Sequence, residues 1–393
     1  YVYQLNPQNV IFVLQKMNLV YGIHDRPKFI QLLIFAFQQV LAILAATIAV
    51  PAIIGNGMSQ SAALFGAGVG TIVYQLFTKF RSPVYLGSSF AFLGSMGAAF
   101  AGVASIAAGH VGLIIGAVFA GLVYVVIAAI IKITGTGWVN KLMPPVIIGP
   151  TVALIGLSLA VNAMGDLVKT NVSTVYSSYN LVAMLCGLIA FVTIIVCSTQ
   201  KRYQMPRLIP FIIGIAAGYA AATVFTVIGN VANIDYLRII NFQPLVDNFV
   251  VDGNFRGITA IVDYPRFALL EAIQELTSGQ LSQGILDANK ALAEESGVTR
   301  NPVMLNMSGA VEVIVAFLPV ALVVFAEHIA DHKNLGAIIG RDLIAEPGLS
   351  RTLLGDGVGS IMGTLFGVCP NTTYGESVGC VAITRNASVV TIT

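Results

Sequence analysis

Ser82-Pro-Val-Tyr-Leu-Gly-Ser-Ser-Phe-Ala-Phe92 and Cys369-Pro-Asn-Thr-Thr-Tyr-Gly-Glu-Ser-Val-Gly379 are two segments that share one pattern. Each has proline at its second position, then β-prone residues, then glycine and a small or polar residue before an apolar run. A continuous helix is not expected to start in such a sequence, so each segment is predicted to be an extended stretch followed by a half-helix. Two such interruptions, one early and one late, indicate an inverted-repeat transporter with its site at the membrane midplane.

The composition places these segments in a membrane protein. Of 393 residues, 20 are Lys or Arg and 18 are Asp or Glu, so 10% of the chain is charged, whereas 56% is hydrophobic. An ordinary soluble domain is about 25% charged, so the chain lacks the charged surface of a soluble protein. It is also too apolar for a disordered protein. A net charge of +2 gives no reason to expect a nucleic-acid partner. The predicted fold class is an all-α polytopic membrane protein embedded in the lipid bilayer.

Eight apolar runs can cross a bilayer as helices, which need about 20 residues each. Together with the two interrupted segments, they make ten predicted crossings. The eight runs are 29–54, 61–77, 111–133, 146–164, 181–197, 208–228, 311–330 and 353–368.

Basic residues predict the orientation, because cytoplasmic segments of membrane proteins carry an excess of Lys and Arg. With the N-terminus inside, thirteen basic residues fall in inner segments and one, Lys169, falls in a short outer loop. We therefore predict a cytoplasmic N-terminus. The long outer segment 230–306 differs in composition, since nine of the 18 acidic residues lie in it. Its amphipathic stretches 269–276 and 281–292 predict one or two helices resting on the bundle.

Three acidic residues in or near the apolar runs are the candidate functional groups, because carboxylates inside a membrane are costly. Glu327 and Asp331 are four residues apart and so face one way on a helix. Glu376 lies at the start of the second half-helix, where the helix dipole favours a carboxylate. Glu312 and Asp356 lie near predicted span ends, where hydrated or capping carboxylates are expected.

Other polar residues in the runs have structural interpretations. Gln38 and Gln39 are adjacent in the first run, so one of them is predicted to face the bundle interior and to hydrogen-bond either a ligand or another helix. Together with Ser377, they are the predicted supporting polar residues of the site. His328 and His332 have the spacing of zinc ligands, but Asp331 stands where the inverted zinc-protease pattern has glutamate. We expect hydrogen-bonded histidines there and no metal.

An intramembrane serine hydrolase is the alternative from another functional class. Gly375-Glu-Ser-Val-Gly379 matches the nucleophile-elbow pattern, with Ser377 as the nucleophile. A hydrolase also needs a histidine base, and no histidine follows Ser377 in this sequence.

The predicted donors and acceptors suit a small, uncharged, planar ligand. The half-helix starts offer backbone N–H groups, Glu327 and Glu376 offer acceptors, and Phe90 and Tyr374 offer aromatic faces. A pyrimidine or purine base presents the matching edge of N–H and C=O groups. Carboxylates that bind protons during the cycle would couple transport to protons, and Glu327, Asp331 and Glu376 are the candidates.

Several motifs of the chain resemble the nucleobase–ascorbate transporter family, and within it the bacterial uracil permeases. The resemblance covers the chain from Asp25 onward, apart from an apparent insertion at 267–311. Its motifs are Tyr85-Leu-Gly-Ser-Ser-Phe-Ala-Phe92, Gly135-Thr-Gly-Trp138, Ala326-Glu-His328, Pro370-Asn-Thr-Thr-Tyr-Gly-Glu376 and Ala382-Ile-Thr-Arg385.

This resemblance implies a fold of two inverted seven-span repeats, of which about ten of fourteen spans are present. The core domain would comprise 29–133 and 307–393, and the gate domain 139–229. Residues 1–28 would be a cytoplasmic segment, and 230–306 an extracellular loop that contains the insertion. Both ends of the sequence are expected to be trimmed, with the remaining spans after residue 393.

The resemblance also implies roles for residues. Glu327 and Glu376 would hydrogen-bond the base, as would the backbones at Phe90 and Gly375, while Ala46 and Tyr374 would pack nearby. Transport would be proton symport of uracil across the cytoplasmic membrane by an elevator-like motion, in a homodimer and without a metal or organic cofactor.

The chain departs from the family pattern at three positions. Ser377 replaces the usual asparagine, Gln39 follows Gln38 where histidine is usual, and Asp331 is more familiar from purine members than from uracil members. Glu376 favours the uracil branch. A xanthine or uric acid permease therefore remains an alternative. An anion transporter of the same fold is a further one, although Arg385 is the only basic residue in either half-helix segment.

Overall fold

A computed structural model describes most of the chain. It covers 19–100, 106–168, 180–200, 210–243, 307–366 and 369–393, with isolated residues at 206, 246, 249–251, 254–255, 267, 270, 273–274 and 290. Residues 1–18 of the predicted cytoplasmic segment 1–28 lie outside the described residues, and so do most of the amphipathic stretches and the insertion predicted within 230–311.

The described residues form a mainly helical structure with two short strand pairs. In chain order the elements are α1 (Phe29–Ile54), α2 (Gln60–Thr78), β1 (Leu86–Ser88), a 3₁₀ turn (Phe90–Phe92), α3 (Leu93–Phe100), α4 (Ile106–Thr134), α5 (Gly137–Leu142), α6 (Pro145–Val168), α7 (Leu181–Thr199), α8 (Pro210–Ala232), a 3₁₀ turn (Asp235–Leu237), β2 (Val250–Val251), β3 (Asn254–Phe255), α9 (Met307–Ile339), a π turn (Ile344–Gly348), α10 (Leu349–Thr364), β4 (Asn371–Thr373), α11 (Gly375–Thr384) and α12 (Val389–Ile392).

Each of the eight predicted spanning runs is helical over most of its described residues. Six helices in the described ranges are long and apolar enough to cross a membrane: Phe29–Ile54, Gln60–Thr78, Ala107–Thr134, Leu181–Thr199, Ile212–Ala232 and Gly309–Ile339. The prediction of an all-α polytopic membrane protein is therefore confirmed. The arrangement as two seven-span repeats stays a prediction.

Both interrupted segments have the predicted form of an extended stretch followed by a short helix. β1 leads into the 3₁₀ turn and α3, and β4 leads into α11. The two strands pair with each other antiparallel, with Leu86 opposite Thr373 and Ser88 opposite Asn371. The Ser89 amide donates to the Pro370 carbonyl oxygen at 2.9 Å and extends the ladder. This pairing satisfies the facing edges of the two buried strands, and on the outer edge of β1 the Leu86 amide donates to the Thr71 hydroxyl at 3.0 Å. Because the strands are antiparallel, the two short helices start at opposite ends of this short ladder.

The described chain divides into two compact units. One contains the described residues of Tyr1–Ala153 and Pro265–Thr393, and the other those of Leu154–Tyr264. In the second unit Asn180 caps α7, since its side-chain oxygen accepts from the amides of Val182 at 2.8 Å and Ala183 at 3.1 Å. All the candidate site residues lie in the first unit. The functional division into core and gate domains stays a prediction.

Helix α10 packs closely against α2 and α4 through glycines. A Cβ at residue 70 would lie 2.9 Å from the Gly359 carbonyl oxygen, and a Cβ at residue 121 would lie 2.8 Å from that of Gly357. Real Cβ atoms do not approach so closely, so these positions require glycine. Such packing is typical of membrane helices, whose association depends on van der Waals contact.

Helix α10 differs from its predicted bounds. It has 16 residues, begins four residues before the predicted run 353–368, and ends at Thr364.

The prediction that Asp356 is hydrated or caps a helix end is wrong. It lies in the middle of α10, and its side chain is 1% exposed. The neighbouring Gly355 and Gly357 allow α2 and α4 to approach α10 here, so Asp356 is enclosed by helices rather than by solvent.

Substitution of Gly359 by alanine should destabilise the protein, because the new Cβ would lie 2.7 Å from Leu86 Cδ1 and 2.8 Å from the Gly70 carbonyl oxygen. Overpacking of this kind costs about 1–3 kcal/mol, so we expect a lower midpoint of thermal unfolding in detergent. Gly94→Ala is the matched control, since no atom lies within 4 Å of a Cβ at that helical position. Equal midpoints for the two variants would contradict the close packing.

Candidate functional site

The site is built around the paired strands. Phe90 begins the 3₁₀ turn after β1, and Gly375 is the first residue of α11 after β4. The Tyr374 hydroxyl donates to the Ser88 carbonyl oxygen at 2.7 Å and ties one interrupted segment to the other. The Tyr374 ring lies over Gly87, where a Cβ would be 2.5 Å from Cε2, so only glycine fits beneath it. Strand pairing and this hydrogen-bonded ring therefore fix the start of each short helix relative to the other.

The three predicted carboxylates come together beside these helix starts. Glu327 interacts electrostatically with both Asp331 and Glu376. The side chains of Glu327 and Glu376 are half-buried, and Asp331 is 7% exposed. A Cβ at residue 375 would lie 3.8 Å from Asp331 Oδ1, so Asp331 adjoins the start of α11.

Asp331 is also bonded to the strand that leads into α11. The Thr373 hydroxyl donates to Asp331 Oδ2 at 2.7 Å. Both groups are buried. Thr373 was not predicted as a site residue, and its position two residues before Gly375 in the interrupted segment is the sequence signal that points to it.

The two glutamines of the first span differ in their surroundings. Gln39 is 5% exposed, and its amide nitrogen donates to the Ser377 hydroxyl, whereas Gln38 is half-buried. The prediction that one glutamine faces the interior and hydrogen-bonds is confirmed. Ala46 is half-buried on α1, which packs against β1 and α11.

Two histidines of α9 make hydrogen bonds to other groups within the chain. His328 Nδ1 is 2.7 Å from Asp356 Oδ2, and its Nε2 is 3.0 Å from the Thr352 hydroxyl oxygen. His332 Nδ1 donates to the His328 carbonyl oxygen at 2.7 Å, and its Nε2 accepts from the Tyr74 hydroxyl at 2.7 Å. The prediction of hydrogen-bonded histidines is confirmed.

This arrangement does not have the geometry of a metal centre or a hydrolase. Within the described ranges, no group of three or more His, Cys, Asp or Glu side chains is placed to hold a metal ion. Ser377 is buried against Gln39, while His328 and His332 bond to other groups. What the site offers is a set of carboxylate acceptors beside the start of α11.

Comparisons with known proteins give the family. Residues 30–393 match the sequence profile of a group described as "Permease family". The uracil permease of Bacillus caldolyticus is 34% identical over 94% of this chain and 70% of its own length. The chain belongs to the nucleobase–ascorbate transporter family. The uracil permeases of Bacillus subtilis and Escherichia coli are 33% and 26% identical, over 96% and 93% of this permease and 72% and 68% of their own lengths.

The family assignment confirms the resemblance found in the motifs. It makes this permease a membrane transporter rather than an enzyme, which removes the hydrolase alternative. The nucleophile-elbow match around Ser377 is therefore fortuitous. Its glycines serve the start of a short helix after a strand, a local geometry that hydrolases use as well.

Loss of the Thr373 hydroxyl should destabilise the site. In Thr373→Val the Asp331 carboxylate loses a buried donor, and a hydrogen bond to a charged group is worth about 1.5–3 kcal/mol. We expect a lower midpoint of thermal unfolding in detergent. The matched control is Thr372→Val on the same strand, because the Thr372 hydroxyl is buried without a hydrogen-bond partner. That variant should match or exceed the parent midpoint, and a similar decrease in both variants would contradict a specific bond.

Proposed function

We propose that this permease imports uracil together with protons across the cytoplasmic membrane. The observation that carries the proposal is the grouping of three carboxyl groups near the start of α11: Glu327 interacts electrostatically with Asp331 and Glu376, and the latter two adjoin that helix start. The names of the relatives support the substrate, since the Bacillus proteins are uracil permeases and a 26% identical Escherichia coli protein is described as a putative pyrimidine permease.

The chemistry of the site suits a pyrimidine base. Uracil is uncharged, and its edge alternates N–H donors with C=O acceptors. The Glu327 and Glu376 carboxylates would accept from the ring N–H groups, and backbone amides near Phe90 and Gly375 would donate to the carbonyl oxygens. Tyr374 and Ala46 would pack against the flat ring. A planar ligand that pairs with both helix starts exploits the strand pairing, because the ladder holds the two donors at a constant separation.

Proton coupling follows from the charges of the site. In the described part of the chain, none of the ion pairs joins a lysine or arginine to Glu327, Asp331 or Glu376. Three neighbouring carboxylates without a cation repel one another when all are ionised, and burial adds a desolvation cost. A proton that enters with the base would relieve both effects, which is the physical basis for symport.

The remaining parts of the proposal concern the transport cycle and the assembly. We infer a cytoplasmic N-terminus from the distribution of basic residues. The core domain would carry the base past a gate domain in an elevator-like motion, in a homodimer built on two inverted repeats. Protons would be the coupling ions, with no metal or organic cofactor.

A carboxylate at position 327 should be indispensable for coupled uptake. Glu327→Gln removes the group that would bind both base and proton, so we expect proton-driven uptake of labelled uracil by cells expressing the full-length protein to fall to background. The matched control is Glu312→Gln on the same helix, because Glu312 is exposed and outside the site. Full uptake by Glu327→Gln would refute the mechanism, and loss of uptake in both variants would point to general damage to α9.

Competition experiments should define the substrate. We expect unlabelled uracil to abolish uptake of labelled uracil, and xanthine or uric acid to have little effect at the same concentration. The reason is shape, since a purine has a second ring and presents a different edge of N–H and C=O groups to Glu327 and Glu376. Efficient competition by xanthine, with weak competition by uracil, would assign the purine alternative.

A further inference from the structure

Two polar atoms deep in the first unit have no hydrogen-bond partner among the described residues. They are the Tyr124 hydroxyl on α4 and Asp356 Oδ1 on α10. The two side chains are 5% and 1% exposed. An unsatisfied buried polar group costs about 1–3 kcal/mol, so two at one place call for an explanation.

The pairing of His328 with Asp356 shows why Oδ1 is the free atom. The Thr352 hydroxyl has one proton and donates it to the Leu349 carbonyl oxygen at 3.1 Å, so it accepts from His328 Nε2. One further proton lies between His328 Nδ1 and Asp356 Oδ2. The pair thus shares a single proton in that bond, and Oδ1 remains as its one acceptor for another group.

Tyr124 is positioned to serve that acceptor. Its ring packs edge-on against His328, with ring centres 6.1 Å apart, and the close approach of Gly357 to α4 brings α10 beside it. Tyr124 interacts electrostatically with Asp356 and with Glu327. The titratable groups facing it are therefore Glu327 and His328 from α9 and Asp356 from α10. The sequence of α3, which adjoins α4, contains no ionisable residue.

We propose that Tyr124 is a positioning residue for proton coupling, which holds one water molecule between its hydroxyl, Asp356 Oδ1 and the carboxyl group of Glu327. A phenol donor and two carboxyl groups supply the two to four polar partners that a buried water requires. Tyr124 and Asp356 belong to α4 and α10, whereas the backbone groups proposed to bind the base, at Phe90 and Gly375, belong to the two interrupted segments. This inference rests on the proposed function, because it assigns a second contact to the carboxylate that binds uracil.

The water would link Glu327 to the His328–Asp356 pair. When the base leaves, Glu327 would keep the water as a hydrogen-bond partner. The Glu327 carboxyl group would give its proton to the water as the water gives one of its own protons to Asp356 Oδ1. One proton moves in each bond, so the total charge of the group is unchanged. Base binding would depend little on Tyr124, whereas release of the proton would depend on it.

Tyr124→Phe tests the inference, because it removes one oxygen atom and keeps the ring. Uptake of labelled uracil by the full-length protein would be measured as a function of external pH, and binding of uracil to the purified protein by calorimetry. We expect the dissociation constant for uracil to change by less than about twofold, whereas the maximal rate of uracil uptake should fall about tenfold. The alkaline limb of the pH profile of uptake should move to higher pH by about one unit. Tyr219→Phe is the matched control, because that side chain is exposed on α8.

Each outcome has a distinct meaning. An unchanged rate and pH profile in Tyr124→Phe would overturn the inference, provided that the parent protein takes up uracil. Loss of uracil binding in the variant would also overturn it, because the hydroxyl would then be needed to build the base site. Absence of uracil uptake by the parent protein would instead reject the proposed function.

Discussion

The antiparallel pairing of β1 with β4 is the constraint on which the rest of the site depends. Extended backbone inside an apolar bundle must have its N–H and C=O groups satisfied, because no water is available to replace a missing partner. β1 and β4 satisfy each other along their facing edges, and the Thr71 hydroxyl of α2 accepts from the Leu86 amide on the outer edge of β1. The same pairing fixes the separation of the two short-helix starts. The two sets of backbone donors that we propose to bind the base are thus positioned by the same pairing that satisfies the interruptions.

Close helix packing gives this ladder its surroundings. The glycines of α10 bring α2 and α4 to within backbone contact, and the Asn371 side chain of β4 donates to the Gly66 carbonyl oxygen at 3.0 Å. That approach also encloses Asp356, whose burial is tolerable because His328 shares a proton with it. His328, His332 and Asp356 are thereby part of the helix packing. They link α9, which carries Glu327 and Asp331, to α10 through the His328–Asp356 pair and to α2 through the bond between His332 and Tyr74.

Much of the fold could be predicted because its signals are local. Apolar runs of spanning length, and proline, glycine and β-prone residues at 82–92 and 369–379, depend on neighbouring residues only. The scarcity of charge also reduced the candidate carboxylates to a few, and Glu327, Asp331 and Glu376 do meet. Asp356 was misjudged because its position along a run suggested a span end. Its burial depends on glycines that admit helices distant in sequence.

By itself, the sequence determined the class of protein, the positions of the helices, the two interruptions and the acidic residues of the site, because hydropathy and backbone preference act within a few residues. Only the tertiary structure decided which groups pair: β1 with β4, Thr373 with Asp331, Gln39 with Ser377, and His328 with Asp356. The partners in three of these pairs are more than 40 residues apart, and the His328–Asp356 pair joins two helices. Their contact depends on how whole helices pack, which no local pattern encodes.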